Sequence, residues 1–231
     1  MSKRILIILS NASHPFNGQA SGFWLSDLTH ALYMIRNSRY TFEICSPEGG
    51  EVTLDPKSLK FPHSEDMLNR IFMSDKDQMK LLENTIPISS INALEYDAMY
   101  LAGGYGAIWD FRKSRNLQSK ITEFYSLGKP IAAIGHGVCA LIDAKDDTGS
   151  LILKGKHVTG FSNKESRKVN TYVGLPYLLE DELKKMGAHY HRNYFSFTHR
   201  VEVDGNIITG QNSQSTTVVF YEIEKILENR K

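Results

Sequence analysis

The sequence predicts an α/β protein with a mostly parallel sheet and helices on both of its faces. Three observations carry this. Short apolar runs alternate along the chain with segments of helical periodicity. Two of those runs, DAMYL and PIAAI, pass directly into glycine-containing turns at residues 103–106 and 135–137. Neither an internal repeat nor a low-complexity linker divides the 231 residues, so 1–231 reads as one domain.

The elements follow in order. RILIIL, residues 4–9, is uniformly apolar, as a strand buried on both faces must be. Residues 22–35 form a helix, with Phe23, Leu28, Leu32 and Ile35 near one face. TFEIC, residues 41–45, is a second strand, stopped by Ser46-Pro47-Glu48-Gly49-Gly50. Residues 64–84 are helical and polar, and a small added helical cap is expected over roughly 55–90. DAMYL is the next strand. A helix over 114–127 ends at Gly128, a good C-terminal stop.

PIAAI then runs through Gly135-His136-Gly137 into a short apolar helix, 138–142. Residues 151–161 read as strands around a Lys154-Gly155-Lys156 turn, and 177–186 as an amphipathic helix. Residues 201–203 and 207–209 pair as a hairpin across Asp204-Gly205. A helix over 216–227 follows.

Composition narrows the function. Hydrophobic residues make up 41%, charged residues 23%, and net charge is +1. Such a balance offers no electrostatic footprint for nucleic acid or an anionic membrane. No apolar run approaches the roughly 20 residues of a spanning helix, and the first apolar run lacks the features of a secretory signal. With only Cys45 and Cys139, there is no disulfide framework and no zinc spacing. A cytoplasmic protein without cofactor is expected.

In parallel sheets of this kind, ligands sit at the carboxyl ends of the strands. Both glycine turns lie at such ends and should share one side of the molecule. The stretch around Gly135 has the form of a strand, a sharp turn and a helix, which pushes the apex side chain out at the top of the sheet. A nucleophile at that apex would be serine or cysteine, and this chain has Gly135. Gly103, Gly104 and Gly106 can present backbone N–H groups to an anion, or simply make a tight turn. Cys139, one turn past the apex, reads as a small buried cysteine, as does Cys45. His189 and His191 alternate on a predicted strand with His199 nearby, but no carboxylate or thiol has matching spacing, and no metal site is expected. Tyr172 and Tyr177 read as rim or packing residues.

The motifs carry a resemblance. Ala133-Ile134-Gly135-His136-Gly137 resembles the A-[IV]-C-H-G elbow of the ThiJ/PfpI superfamily. Gly22-Phe23-Trp24-Leu25, Ser46-Pro47-Glu48-Gly49-Gly50, Leu54-Asp55-Pro56, Gly103-Gly104-Tyr105-Gly106 with Asp110, Thr159-Gly160-Phe161-Ser162-Asn163, Tyr177-Leu178-Leu179-Glu180 and Thr209-Gly210-Gln211-Asn212 resemble, in order, segments of its heat-shock glyoxalase III-like branch. The resemblance implies a flavodoxin-like three-layer sandwich, class I glutamine amidotransferase-like in kind. It implies a Cys–His pair at the elbow, where this chain has Gly135 and His136, and a nearby glutamate, where it has Asp27. A supporting acid is implied at Glu165 or Ser166, and the Tyr105 position is usually histidine. The departures at Asp27 and Ser166 favour natural loss of the cysteine over a replaced one. His136 reads either as a residual acid/base or as an inherited turn histidine bonded to backbone.

Three functions stay open. The first is a diverged protein without cysteine chemistry, a pseudoenzyme that binds a small carbonyl or carboxylate ligand or acts as a stress-related chaperone-like protein. The second is a glutathione-independent glyoxalase III-like lyase, converting methylglyoxal to lactate, or a protein deglycase. The third is a hydrolase or amidotransferase-like activity. The resemblance also implies a homodimer.

Overall fold

Strand β1, Arg4–Ile8, is almost wholly inaccessible from its second residue onward, and the rest of the fold is laid against it. The structure is a computed structural model that describes residues 2–13, 20–171 and 174–229. After β1 come helix α1 (Leu25–Asn37), strand β2 (Thr41–Ser46), helices α2 (Met67–Ser74) and α3 (Lys76–Lys80), and strands β3 (Ile86–Pro87) and β4 (Ala98–Leu101). Helices α4 (Ala107–Asp110) and α5 (Arg115–Ser126) lead to β5 (Ile131–Ile134). Then follow β6 (His157–Val158), α6 (Asn163–Lys168), α7 (Leu179–Lys185), β7 (His189–Tyr190), β8 (Val201–Asp204), β9 (Ile207–Gly210) and α8 (Thr216–Glu228).

The main sheet has seven strands in the order β3-β2-β1-β4-β5-β9-β8. Every pairing is parallel except β8 with β9, which is antiparallel. Alternate residues of β1 point to opposite faces, and the two cores divide accordingly. Ile5 and Ile7 pack with Leu28, Leu32 and Ile35 of α1 and with Val219, Phe220 and Ile223 of α8. Leu6 and Ile8 belong to the other core, with Leu117, Ile121 and Phe124 of α5. This is the three-layer, flavodoxin-like architecture the sequence predicts.

The chain leaves β1 to one side, to β2 and β3, and crosses to the other side for β4 and β5. Beyond the carboxyl ends of β1 and β4 lies the crevice of a topological switch point. The first turn of α1 and both glycine turns meet there.

Several local expectations are corrected. The apolar helix expected over 138–142 is a 3₁₀ helix that already begins at Gly135 and runs to Leu141. Residues 151–161 contain only the short strand β6, paired with β7 in a separate two-stranded ribbon, because the chain turns twice before it extends. The β8–β9 turn is Gly205-Asn206, since Asp204 already pairs with Ile207. The cap is helical over its first part, but residues 86–87 return to the main sheet as β3. Phe72 of α2 and Leu82 join the same core as Ile5 and Ile7, so the cap shares the interior of the molecule. Among the described residues, no helix is long and apolar enough to cross a membrane.

Candidate functional site

Gly135 is the apex of the site. It stands at the end of β5 with φ +54°, a left-handed conformation that glycine adopts without steric cost. A Cβ built on it would meet no heavy atom within 4 Å, so the space above it is open. The neighbouring turn is held by a close approach of the opposite kind. A Cβ on Gly103 would lie 2.7 Å from both the Ile134 carbonyl oxygen and Asp27 Oδ2. Only glycine lets the β4 turn nest against the end of β5.

Asp27 lies in the first turn of α1, with 2% of its surface exposed. Its Oδ2 accepts a hydrogen bond from the Gly103 backbone N–H at 2.8 Å. Among the described residues, its Oδ1 has no donor at hydrogen-bonding geometry. Burial raises its pKa from the ordinary 3.8 to about 6, against the opposing influence of the Ser213 side chain, the Gly103 N–H and His30. The carboxyl group therefore titrates close to neutrality.

His136 follows Gly135 and is 4% exposed. Its ring packs between Tyr105, centroid to centroid 4.8 Å, and Phe161, at 4.6 Å. Among the described residues none hydrogen-bonds the ring, so the backbone-bonded turn histidine is not what forms. Burial alone lowers its pKa to about 3, and the imidazole is neutral at physiological pH.

Asp27, Gly104, Tyr105, Gly135 and His136 line one cavity of about 520 Å³. That volume lies in the range of small-molecule sites. Gly103 and Gly106 do not line it; they sit behind the turn, Gly106 close to Ser10 and the Ala12 carbonyl. Glu165 also lies outside the lining, which corrects its expected contact with ligand. Its Oε2 accepts from the backbone and hydroxyl of Ser162 in a capping box, and its Oε1 accepts from the Phe197 N–H and Asn212 Nδ2. With both oxygens bonded and no exposed surface, Glu165 holds Phe197 and Asn212, which do line the cavity, in place.

The cap supplies residues that sequence reasoning missed. Lys57, Lys60, Phe61 and His63 come from the two 3₁₀ segments, Pro56–Leu59 and His63–Glu65, and from the loop between them. Lys57 Nζ stands 5.3 Å from the centre of the Tyr105 ring. Their only signal in the sequence was the Leu54-Asp55-Pro56 motif before them. Asp55 caps the first segment by accepting from the Lys57 N–H at 2.9 Å. Tyr105 is held from below, its hydroxyl hydrogen-bonded to that of Thr171 at 2.8 Å.

Neither cysteine reaches the cavity. The Cys139 thiol donates to the Ala107 carbonyl at 3.0 Å, and burial pushes its pKa up to about 12. Cys45 is buried in β2 with its pKa raised well above the ordinary thiol value. Tyr177 packs away from the cavity, with Arg112 over its ring and its hydroxyl donating to the Ile108 carbonyl. Tyr172 lies outside the described residues.

Residues 69–225 match the DJ-1/PfpI family, more than half of the chain and both glycine turns with it. The chain belongs to the DJ-1/PfpI family. It is 27% identical to the glutathione-independent glyoxalase HSP31 of Saccharomyces cerevisiae over 230 residues, covering 92% of this chain and 93% of that one. It is 30% identical to the glutamine amidotransferase-like class 1 domain-containing protein 1 of Danio rerio, over 84% of this chain and 91% of the relative. Among solved structures, the Rapid Encystment Protein 24 KDa of Francisella tularensis superposes with a TM-score of 0.91 at 37% identity, over 97% of this chain and 99% of that one. This DJ-1/PfpI protein is thus glutamine amidotransferase-like, with glyoxalases among its relatives.

Proposed function

We propose that this DJ-1/PfpI protein binds a small carboxylate or carbonyl compound in the cavity above Gly135 and performs no thiol chemistry there. One observation carries the reading. The elbow is open above a glycine, while both thiols of the chain are buried elsewhere. A covalent thiol intermediate has no atom to form on. On this reading Gly135 stands where the motif resemblance implies a nucleophilic cysteine. The remaining groups suit recognition. Lys57 and Lys60 can attract a carboxylate, and the unbonded Asp27 Oδ1, when protonated, can donate to a carbonyl oxygen.

A second reading is favoured by the Asp27 carboxyl, with its pKa of about 6, and the neutral His136 imidazole, which line the same cavity. Such a pair can move a proton on a bound carbonyl compound without a thiol. It would make the chain a glyoxalase-like lyase, as the name of the yeast relative suggests.

Titration with pyruvate, lactate and methylglyoxal, followed by calorimetry and by lactate production, separates the two. Binding of a carboxylate that weakens about tenfold in Lys57→Ala, without lactate formation from methylglyoxal, is expected. Turnover by the pure protein that collapses in Asp27→Asn would replace the first reading with the second. In Gly135→Cys the new thiol should alkylate faster than Cys45 and Cys139. Labelling no faster than theirs would show that the elbow is closed.

A further inference from the structure

Two imidazoles and a carboxylate converge on the ribbon at the β8 edge of the molecule, away from the cavity. His157 begins β6, His191 directly follows β7, and Glu202 lies in β8. His157 Nδ1 and His191 Nε2 are 2.9 Å apart, with the rings stacked at 5.1 Å and 7° between planes. One ligand atom from each of the three lies within 4.8 Å of the others. None of the three lines the cavity.

The backbone holds each position independently. The His157 N–H donates to Asp204 Oδ2 at 3.1 Å, and the His191 N–H to the Val158 carbonyl at 2.8 Å. Glu202 pairs with Thr209 in the β8–β9 ladder. Both acids beside the imidazoles are ion-paired. Arg200 Nε donates to Glu202 Oε1 at 2.8 Å, and Lys156 is bonded to Asp204 at 2.8 Å.

We propose that His157, His191 and Glu202 form a binding site for a zinc ion, which clamps the β6–β7 ribbon to strand β8. A zinc ion sits about 2.0–2.1 Å from an imidazole nitrogen or carboxylate oxygen. Two nitrogens bound to one ion at tetrahedral angles therefore lie a little over 3 Å apart, close to the 2.9 Å found here. Small side-chain rotations bring in Glu202, whose Arg200 contact engages Oε1 and leaves Oε2 for the metal. Neutral imidazole and carboxylate are donors that zinc accepts, and the exposure of His157 leaves the fourth position to water. The pairing of His191 is with His157, 34 residues earlier, not with the near neighbours His189 or His199.

The test uses the untagged full chain, stripped with chelator and titrated with zinc chloride at pH 7.5. One equivalent should bind, with affinity reduced more than about tenfold in each of His157→Ala, His191→Ala and Glu202→Gln and unchanged in His199→Ala. Zinc should raise the melting temperature of the wild type and leave that of His157→Ala unmoved. Cobalt should give the intense visible bands of a near-tetrahedral site only where all three residues are intact. Glu202→Gln conserves shape, and its melting temperature without metal serves as the folding control. Absence of binding would overturn the assignment, as would binding equally strong in the three variants.

Discussion

Asp27 concentrates the residue-scale physics. Its pKa is raised because burial desolvates the charged carboxylate by more than the Ser213 side chain, the Gly103 N–H and His30 compensate. The folded protein thus holds this proton more tightly than the unfolded chain does. Between about pH 4 and 6 the native state carries the extra proton, so the contribution of this group to stability falls as pH rises through that window. The rise from 3.8 to about 6 corresponds to roughly 3 kcal/mol lost by pH 7. Asp27→Asn keeps an acceptor for the Gly103 N–H and removes the charge. It should be more stable than the wild type by about 2–3 kcal/mol at pH 7.5 and nearly equal to it at pH 4, measured from urea midpoints. An equal difference at both pH values would show that Asp27 does not titrate in this range. Asp55 and Asp110 are also raised to about 6, so the difference between variant and wild type, not the wild-type curve, isolates Asp27.

At the scale of elements, the cap is joined to α1 by polar bonds as well as apolar packing. Asn69 of α2 is 2% exposed; its Oδ1 accepts from the Thr29 hydroxyl at 2.7 Å. Its Nδ2 donates to Ser26 Oγ at 2.9 Å and to the His63 carbonyl at 3.1 Å. One side chain thereby ties α1, α2 and the 3₁₀ segment that carries His63 over the cavity. Asp66 starts α2 by accepting from the N–H groups of Leu68 and Asn69, and Phe72 buries its inner face. Asn69→Ala strands three polar groups and should cost about 3 kcal/mol. It should also weaken any ligand held under the cap. A loss below about 1 kcal/mol in urea denaturation would mean that water replaces the amide and the joint is not a structural one.

For the whole molecule, the two cores share one sheet, and β1 contributes alternate residues to each. The cap shares the second core through Phe72 and Leu82. Melting of the cap should therefore coincide with that of the sheet. Trp24 reports on the cap, since its ring meets His63 edge to face at 4.9 Å. In Trp109→Phe, where Trp24 is the remaining tryptophan, fluorescence and far-UV circular dichroism should give one thermal midpoint. An earlier fluorescence transition would separate the cap as its own cooperative unit.

Much of the fold was legible in the sequence because it rests on short-range rules. The unbroken apolar run of β1 needs burial on both faces, and the helix over Arg115–Ser126 is bounded by Ser114 and Gly128. The glycine turns after β4 and β5 marked Gly104, Tyr105, Gly135 and His136, and motif order marked Asp27. Tertiary structure decided what depends on neighbours distant in the chain. The cap swings Lys57 and Lys60 over the cavity, and the turn from Gly103 leaves Asp27 half satisfied and easily protonated. Glu165 shares its motif with cavity residues, yet its oxygens are taken by Ser162, Phe197 and Asn212, a pairing no spacing reveals. His157, His191 and Glu202 meet because β6, β7 and β8 are folded together at one edge. The sequence by itself determined which residues alternate, turn and cap; burial, sheet order and the meeting of remote strands determined their charge states and partners, because desolvation and through-space contact exist only once the chain has closed on itself.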